Sequence, residues 1–161
     1  IAINHFNIIR YIVGIPYDVK IKNEYQEIAQ AASLLMSANN LMQHSGQPRP
    51  KKMNDKLFKL GDKGCNSCNL YTGCSHLIQA INGWLADDGC FSTMGHRRWI
   101  LHPPMKFTGF GHIGEYSSMY CFDNSFIHQE INFSSLLEKS SIKEANNTLF
   151  LIFSIPKLEH L

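Results

Sequence analysis

Between Ile21 and Gln43 the residues Tyr25, Ile28, Ala29, Ala32, Leu35, Met36 and Asn39 recur at i, i+3 and i+4. That spacing lays one stripe along an amphipathic helix, and a stripe of this kind has to be buried against a second layer. Its small residues allow the neighbour to come close. The helix runs into His44-Ser45-Gly46-Gln47-Pro48, where glycine and proline break it. His44 then falls at the C-terminal turn, where the helix dipole favours a protonated imidazole, so its plainest role is a C-cap.

The other helical patterns are shorter. Phe6, Ile9, Ile12 and Val13 share a face between Ala2 and Val13, and Gly14 with Pro16 end that helix. Gln47 to Gly73 reads as a long irregular connection with one short helical stretch, Asn54 to Leu60, and such connections are usually functional or mobile. Ser75 to Asp87 is helical again through Leu77, Ile78, Ile81, Trp84 and Leu85, with Ser75 as N-cap and Gly89 as the stop. From Lys106 the character changes. Lys106 to Ile113 and Ser117 to Asp123 read as strands joined by Gly114-Glu115-Tyr116, and Thr148 to Ile155 is a further strand-prone run after a polar connection, Ser134 to Asn147. Helices first and strands after predicts an α+β fold with an antiparallel sheet.

At 161 residues one domain is expected, drawn here over residues 1–157, with 158–161 as a tail or tag remnant. A net charge of +2 from 15 basic and 13 acidic residues gives no footprint for nucleic acid. The cluster Arg49, Lys51 and Lys52 sits among prolines and reads as a solvated loop. No apolar run approaches the roughly 20 residues that span a bilayer. With no initiator Met and no leader, the sequence reads as a processed or trimmed form, which leaves extracellular residence open. Asn132-Phe133-Ser134 and Asn146-Asn147-Thr148 fit the glycosylation sequon, which matters only in a eukaryotic secreted protein. The five cysteines, Cys65, Cys68, Cys74, Cys90 and Cys121, are an odd set, so at least one is free, paired between molecules, or otherwise bound. One or two disulfides and a zinc site around Cys65-Asn-Ser-Cys68 are both open from spacing alone.

The densest chemistry lies in Thr93-Met-Gly-His-Arg-Arg-Trp-Ile-Leu-His-Pro-Pro104. Two carboxylates, Asp87 and Asp88, stand just upstream at the C-terminal end of a helix, where the dipole disfavours negative charge. A compensating cation is expected, and Arg97 and Arg98 are the candidates. No His-Glu-x-x-His pair and no Gly-x-Ser-x-Gly elbow occurs in the sequence, which weighs against zinc-protease and serine-hydrolase chemistry.

The order of pieces resembles the CAP superfamily of cysteine-rich secretory, antigen 5 and pathogenesis-related proteins, in its bacterial branch. The resemblance covers roughly Ile1 to Asp123. It rests on Asn7-x-x-Arg10 with Gly14-Ile15-Pro16, the long Ala-rich helix leading to His44-Ser45, the Trp84 helix ending in acids, Gly95-His96-Arg97-Arg98, and Gly109-Phe110-Gly111. It implies an α-β-α sandwich with helices on a central, mainly antiparallel sheet, and a cavity lined by two histidines and two acids. Carried over by position, these are His44, His96 and Asp87, with Asp88 as the neighbouring choice. The family's second acid precedes an Asn-Leu pair, and here Cys68 stands before Asn69-Leu70, so the tetrad is incomplete. His44 and His96 are then the metal candidates, for zinc or magnesium, with Cys68 as a thiolate ligand in one version and Asn69, Arg97 and Arg98 as supporting residues.

By function, the resemblance implies a secreted or surface-attached, non-catalytic domain that binds a small apolar ligand, a sterol or other lipid, or a host or partner protein. The alternative is a metal-dependent hydrolase or protease using the His44 and His96 cavity. The aromatic-rich strands around Phe107, Phe110, Tyr116 and Tyr120 offer an apolar surface, though such residues are ordinarily core. Abundant Ile, Asn and Lys fit an AT-rich bacterial genome, and a spirochaete outer-surface lipoprotein is the kind of protein this describes, its membrane attachment carried by an N-terminal lipid anchor on the precursor.

Overall fold

The computed structural model describes residues 1–88, 92–123 and Ser125. In chain order these form helix α1 (Ala2–Ile12), strand β1 (Lys20–Ile21), α2 (Asn23–Asn39), α3 (Asp55–Ser67), β2 (Cys68–Tyr71), α4 (Leu77–Ala86), the short α5 (Arg97–Ile100), β3 (Phe107–Thr108), β4 (Phe110–Ile113) and β5 (Tyr116–Tyr120). Strands β2, β5 and β4, in that order, make an antiparallel sheet, and β1 pairs with β3 in parallel. The fold of the described residues is α+β, as the order of helical and strand patterns predicts. The Thr148–Ile155 strand, the polar connection before it, both sequons and the tail lie outside the described residues.

Side-chain alternation along β5 sets the layers. Tyr116, Ser118 and Tyr120 turn toward α2 and α3; Tyr116 and Tyr120 join Tyr25, Ile28, Leu35, Met36 and Leu70 in one apolar cluster. Met119, and Cys121 just beyond the strand, turn the other way, to Phe6, Ile81, Trp84, Ile100 and Met105 of a second cluster. Helices therefore pack on both faces of the sheet.

On the first face α2 is approached closely from two sides. A Cβ at Gly64 of α3 would lie 2.8 Å from the Ala32 Cβ, and one at Gly111 of β4 would lie 2.7 Å from the Gln30 nitrogen, so neither contact tolerates a side chain. The free edge of β4 is closed by α2 itself. Gln26 donates to the Phe110 carbonyl and accepts from its N–H, and Gln30, one turn on, does the same for His112. Two side-chain amides thus take the place of a missing strand. Behind them the Ser33 and Ser118 hydroxyls meet at 2.8 Å, and Ser118 donates to the Ala29 carbonyl.

Several boundaries differ from the sequence reading. Helix α2 stops at Asn39, because Asn40 takes the left-handed conformation (φ 48°), so His44 is not its cap. The supposed irregular connection holds α3, thirteen residues long and capped by Asn54, whose side chain accepts from the Leu57 N–H. The glycines that argued against a helix there are the ones that let it sit on α2. At α4 the N-cap is His76, whose Nδ1 accepts from the Gln79 N–H, rather than Ser75.

Candidate functional site

Four segments meet where β2 begins and β5 ends. They are the loop after α2, the α3–β2 junction, the segment leading into α5, and the residues after β5. Among the described residues they enclose a pocket of about 290 Å³ lined by His44, Cys68, Asn69, His96, Trp99 and Phe122, with Arg98 and Cys121 beside them. The two histidines, 52 positions apart, are thus gathered with Cys68 and Asn69.

His96 is held by Asp87. Asp87 follows α4 in a left-handed conformation (φ 54°), which an aspartate tolerates better than most residues, and it is 2% exposed. Its Oδ1 lies 2.7 Å from His96 Nδ1, while Oδ2 accepts the backbone N–H groups of His96 and Arg97, both at 3.1 Å. Burial alone would push this carboxyl up. The hydrogen bonds from Arg97 and His96 outweigh burial and hold it below the ordinary carboxylate range. An ionised carboxylate can only accept, so a neutral His96 ring carries its proton on Nδ1 and leaves the lone pair on Nε2. Asn69, 3% exposed, donates to the His96 carbonyl at 3.0 Å and fixes the backbone from the other side.

His44 is set the same way by a different acceptor. Its Nδ1 lies 2.8 Å from the carbonyl of Cys65 in the last turn of α3. A carbonyl also only accepts, so a neutral His44 ring likewise carries its proton on Nδ1 and leaves the lone pair on Nε2. The residue caps the end of α3, not α2.

The arginines do not form the ion pairs expected of them. Arg97 turns its guanidinium to the carbonyls of Leu85 and Ala86, capping the C-terminus of α4. Arg98 lies over the Trp99 ring, 5.1 Å from its centre. Among the described residues neither guanidinium bridges to Asp87 or Asp88, and the side-chain partner of Asp87 is the His96 ring. A cation does compensate the helix end, but through the carbonyls. Asp88 is exposed and lies outside the pocket lining.

The residue that holds the Trp99–Pro104 segment in place is Arg10. It is fully buried and donates to the carbonyls of Pro16, Ile100 and His102 at 2.7, 2.7 and 3.0 Å, with Pro103 at 3.4 Å. Burial lowers its pKa to about 10, against the opposing pull of Asp18, and it stays charged at neutral pH. A sequence signal for this exists, since Arg10 follows Phe6 by four positions and so falls on the apolar stripe of α1. Phe122, which packs edge-on against Trp99 at 4.9 Å, and Cys121 carry no such signal.

The donor set does not fit a zinc or magnesium ion. Both Asp87 oxygens are committed to His96 and Arg97, leaving two imidazoles. Burial, with Cys121 and Cys65 nearby, pushes the Cys68 thiol well above its ordinary range, which disfavours a thiolate ligand. Burial likewise raises Cys65 and Cys121 to about 12. Among the described residues no group of three or more His, Cys, Asp or Glu side chains is placed to hold a metal ion. Cys65, Cys68, Cys74 and Cys121 are free thiols. No family model, curated protein or solved structure matches the chain.

A second concavity, of about 310 Å³, lies along α2 and α3. Ala31, Leu34, Leu57, Leu60 and Ile113 make it predominantly apolar, with Glu27 and Gln30 at its border.

Proposed function

We propose that this chain is a CAP-type binding domain, secreted or attached at the cell surface, that carries a small apolar ligand and performs no chemistry of its own. The observation that carries the reading is the convergence of His44 and His96 on one pocket, with Asp87 bracing His96. Helices on both faces of an antiparallel sheet agree with the sandwich that the sequence resemblance implies. The ligand, a sterol or fatty acyl chain, belongs in the groove along α2 and α3, whose volume is at the small end of the range of ligand pockets, roughly 300–1,000 Å³. The hydrolase alternative needs a third metal ligand, which the described pocket does not supply. No described helix is long and apolar enough to cross a membrane, and surface attachment, in this reading, is through lipid on a precursor.

Organic extraction of purified protein followed by mass analysis tests the reading, together with displacement of a fluorescent fatty acid. Retained lipid, and displacement weakened by Leu34→Glu, are expected. Protein that retains no lipid and binds no fatty acid or sterol turns the reading toward a protein partner.

A further inference from the structure

The pocket between the histidines has a chemical character of its own, independent of whether the apolar groove carries lipid. In the neutral form each ring places its proton on Nδ1, which makes His44 Nε2 and His96 Nε2 hydrogen-bond acceptors. Neither Nε2 has a partner among the described residues. Beside them Arg98 brings a permanent cation, held over Trp99 with no carboxylate within bridging distance among the described residues. Arg98 and Cys121 both line the pocket. The pocket therefore offers two acceptors and one planar, fivefold donor within about 290 Å³.

We propose that this pocket binds a small hydroxylated carboxylate, the class that includes uronic acids and α-hydroxy acids, with the carboxylate on Arg98 and its hydroxyl protons on one or both imidazoles. Other ligand classes meet this donor set less well. Sulfate satisfies Arg98 but brings lone pairs against the lone pairs of both rings. Neutral sugars supply hydroxyl donors and leave the guanidinium without an anion. An apolar ligand would desolvate three polar groups and pair none of them. A carboxylate with two or more hydroxyls pairs all three, one with a single hydroxyl pairs the guanidinium and one imidazole, and Phe122, 43% exposed, gives the carbon skeleton an apolar edge to rest on.

Calorimetric titration of the full chain with D-glucuronate, L-lactate and D-tartrate, with D-glucose and sulfate as controls, tests the assignment. Saturable binding of at least one hydroxycarboxylate is expected, with both controls about tenfold weaker or more. Arg98→Gln, an exposed change whose folding is checked by thermal melting, should weaken the binding about tenfold. His44→Ala should weaken lactate and glucose together, because it removes a hydroxyl acceptor. The proposal is overturned by absence of saturable binding of all three acids up to about 10 mM, by sulfate binding as well as the acids, or by unchanged affinity in well-folded Arg98→Gln.

Discussion

The two faces of the sheet are built by different means. On the α2 and α3 face, backbones approach through Ala29, Ala32, Gly64 and Gly111, and the apolar stripe of one long helix sets the geometry. On the opposite face residues 92–96 and 101–104 have little regular structure, and buried polar side chains hold them. Arg10 collects carbonyls, Asp87 collects N–H groups, and Asn69 reaches the His96 carbonyl. The difference follows from what each region lacks. A helix on a sheet has already paired its backbone and needs only shape, whereas an irregular segment must find side chains to satisfy its backbone groups before it can be buried.

The largest test of this contrast is Arg10→Leu. It keeps an apolar residue on α1 but strands the carbonyls of Pro16 and Ile100 and leaves His102 only its bond from the Met105 N–H, so a loss of about 4 kcal/mol is expected in chemical denaturation, at 1–3 kcal/mol per unsatisfied group. A loss under about 1 kcal/mol would mean the carbonyls find water instead. Gly111→Ala probes the other face. Its Cβ meets the backbone of Ala29 and Gln30, which cannot retreat as a flexible side chain could, and about 3 kcal/mol of destabilisation is expected by the same measurement.

Asp87→Asn follows, at about 2 kcal/mol, because hydrogen bonds to an ionised group are replaced by neutral ones. It carries a pH signature as well. The Asp87 carboxyl is held below its ordinary value in the folded state, so its contribution is complete above the unfolded pKa and is lost as pH falls through the lowered folded value. The variant should therefore lose less stability than the parent on acidification, though not all, since Asp123 is also held low, its burial outweighed by hydrogen bonds from Ser125, Lys106 and Phe107. The smallest effect belongs to Gln26→Leu, which opens one position of the β4 edge. About 1 kcal/mol is expected, with faster amide exchange at Phe110 as the specific readout.

Legibility from sequence divides along the same line. The α2 stripe, the α1 and α4 helices, and the strands either side of Gly114-Glu115 can be read from periodicity, because apolar burial leaves a period behind it. Helix α3 is shortened in that reading because Gly61 and Gly64 count against a helix locally while serving contact with α2. His44 and His96 are visible as candidates through their resemblance to an ordered family pattern, and Asp87 through its place after Trp84. The acceptor that orients each ring is not equally visible: Asp87 is nearby in sequence, but the Cys65 carbonyl belongs to a backbone that has no signature. The arginine partners are hidden for the same reason. Charge pairs with charge in a sequence reading, yet Arg97 and Arg10 both serve carbonyls.

The central claim is that two histidines from separate loops present unprotonated Nε2 atoms to one pocket. Long-range proton–nitrogen NMR correlation of the imidazoles at pH 8 tests it most directly. Both His44 and His96 should show the Nδ1–H tautomer, and in Asp87→Asn the signal of His96 alone should shift toward the Nε2–H form. Finding either ring predominantly protonated on Nε2 in the parent protein would contradict the account.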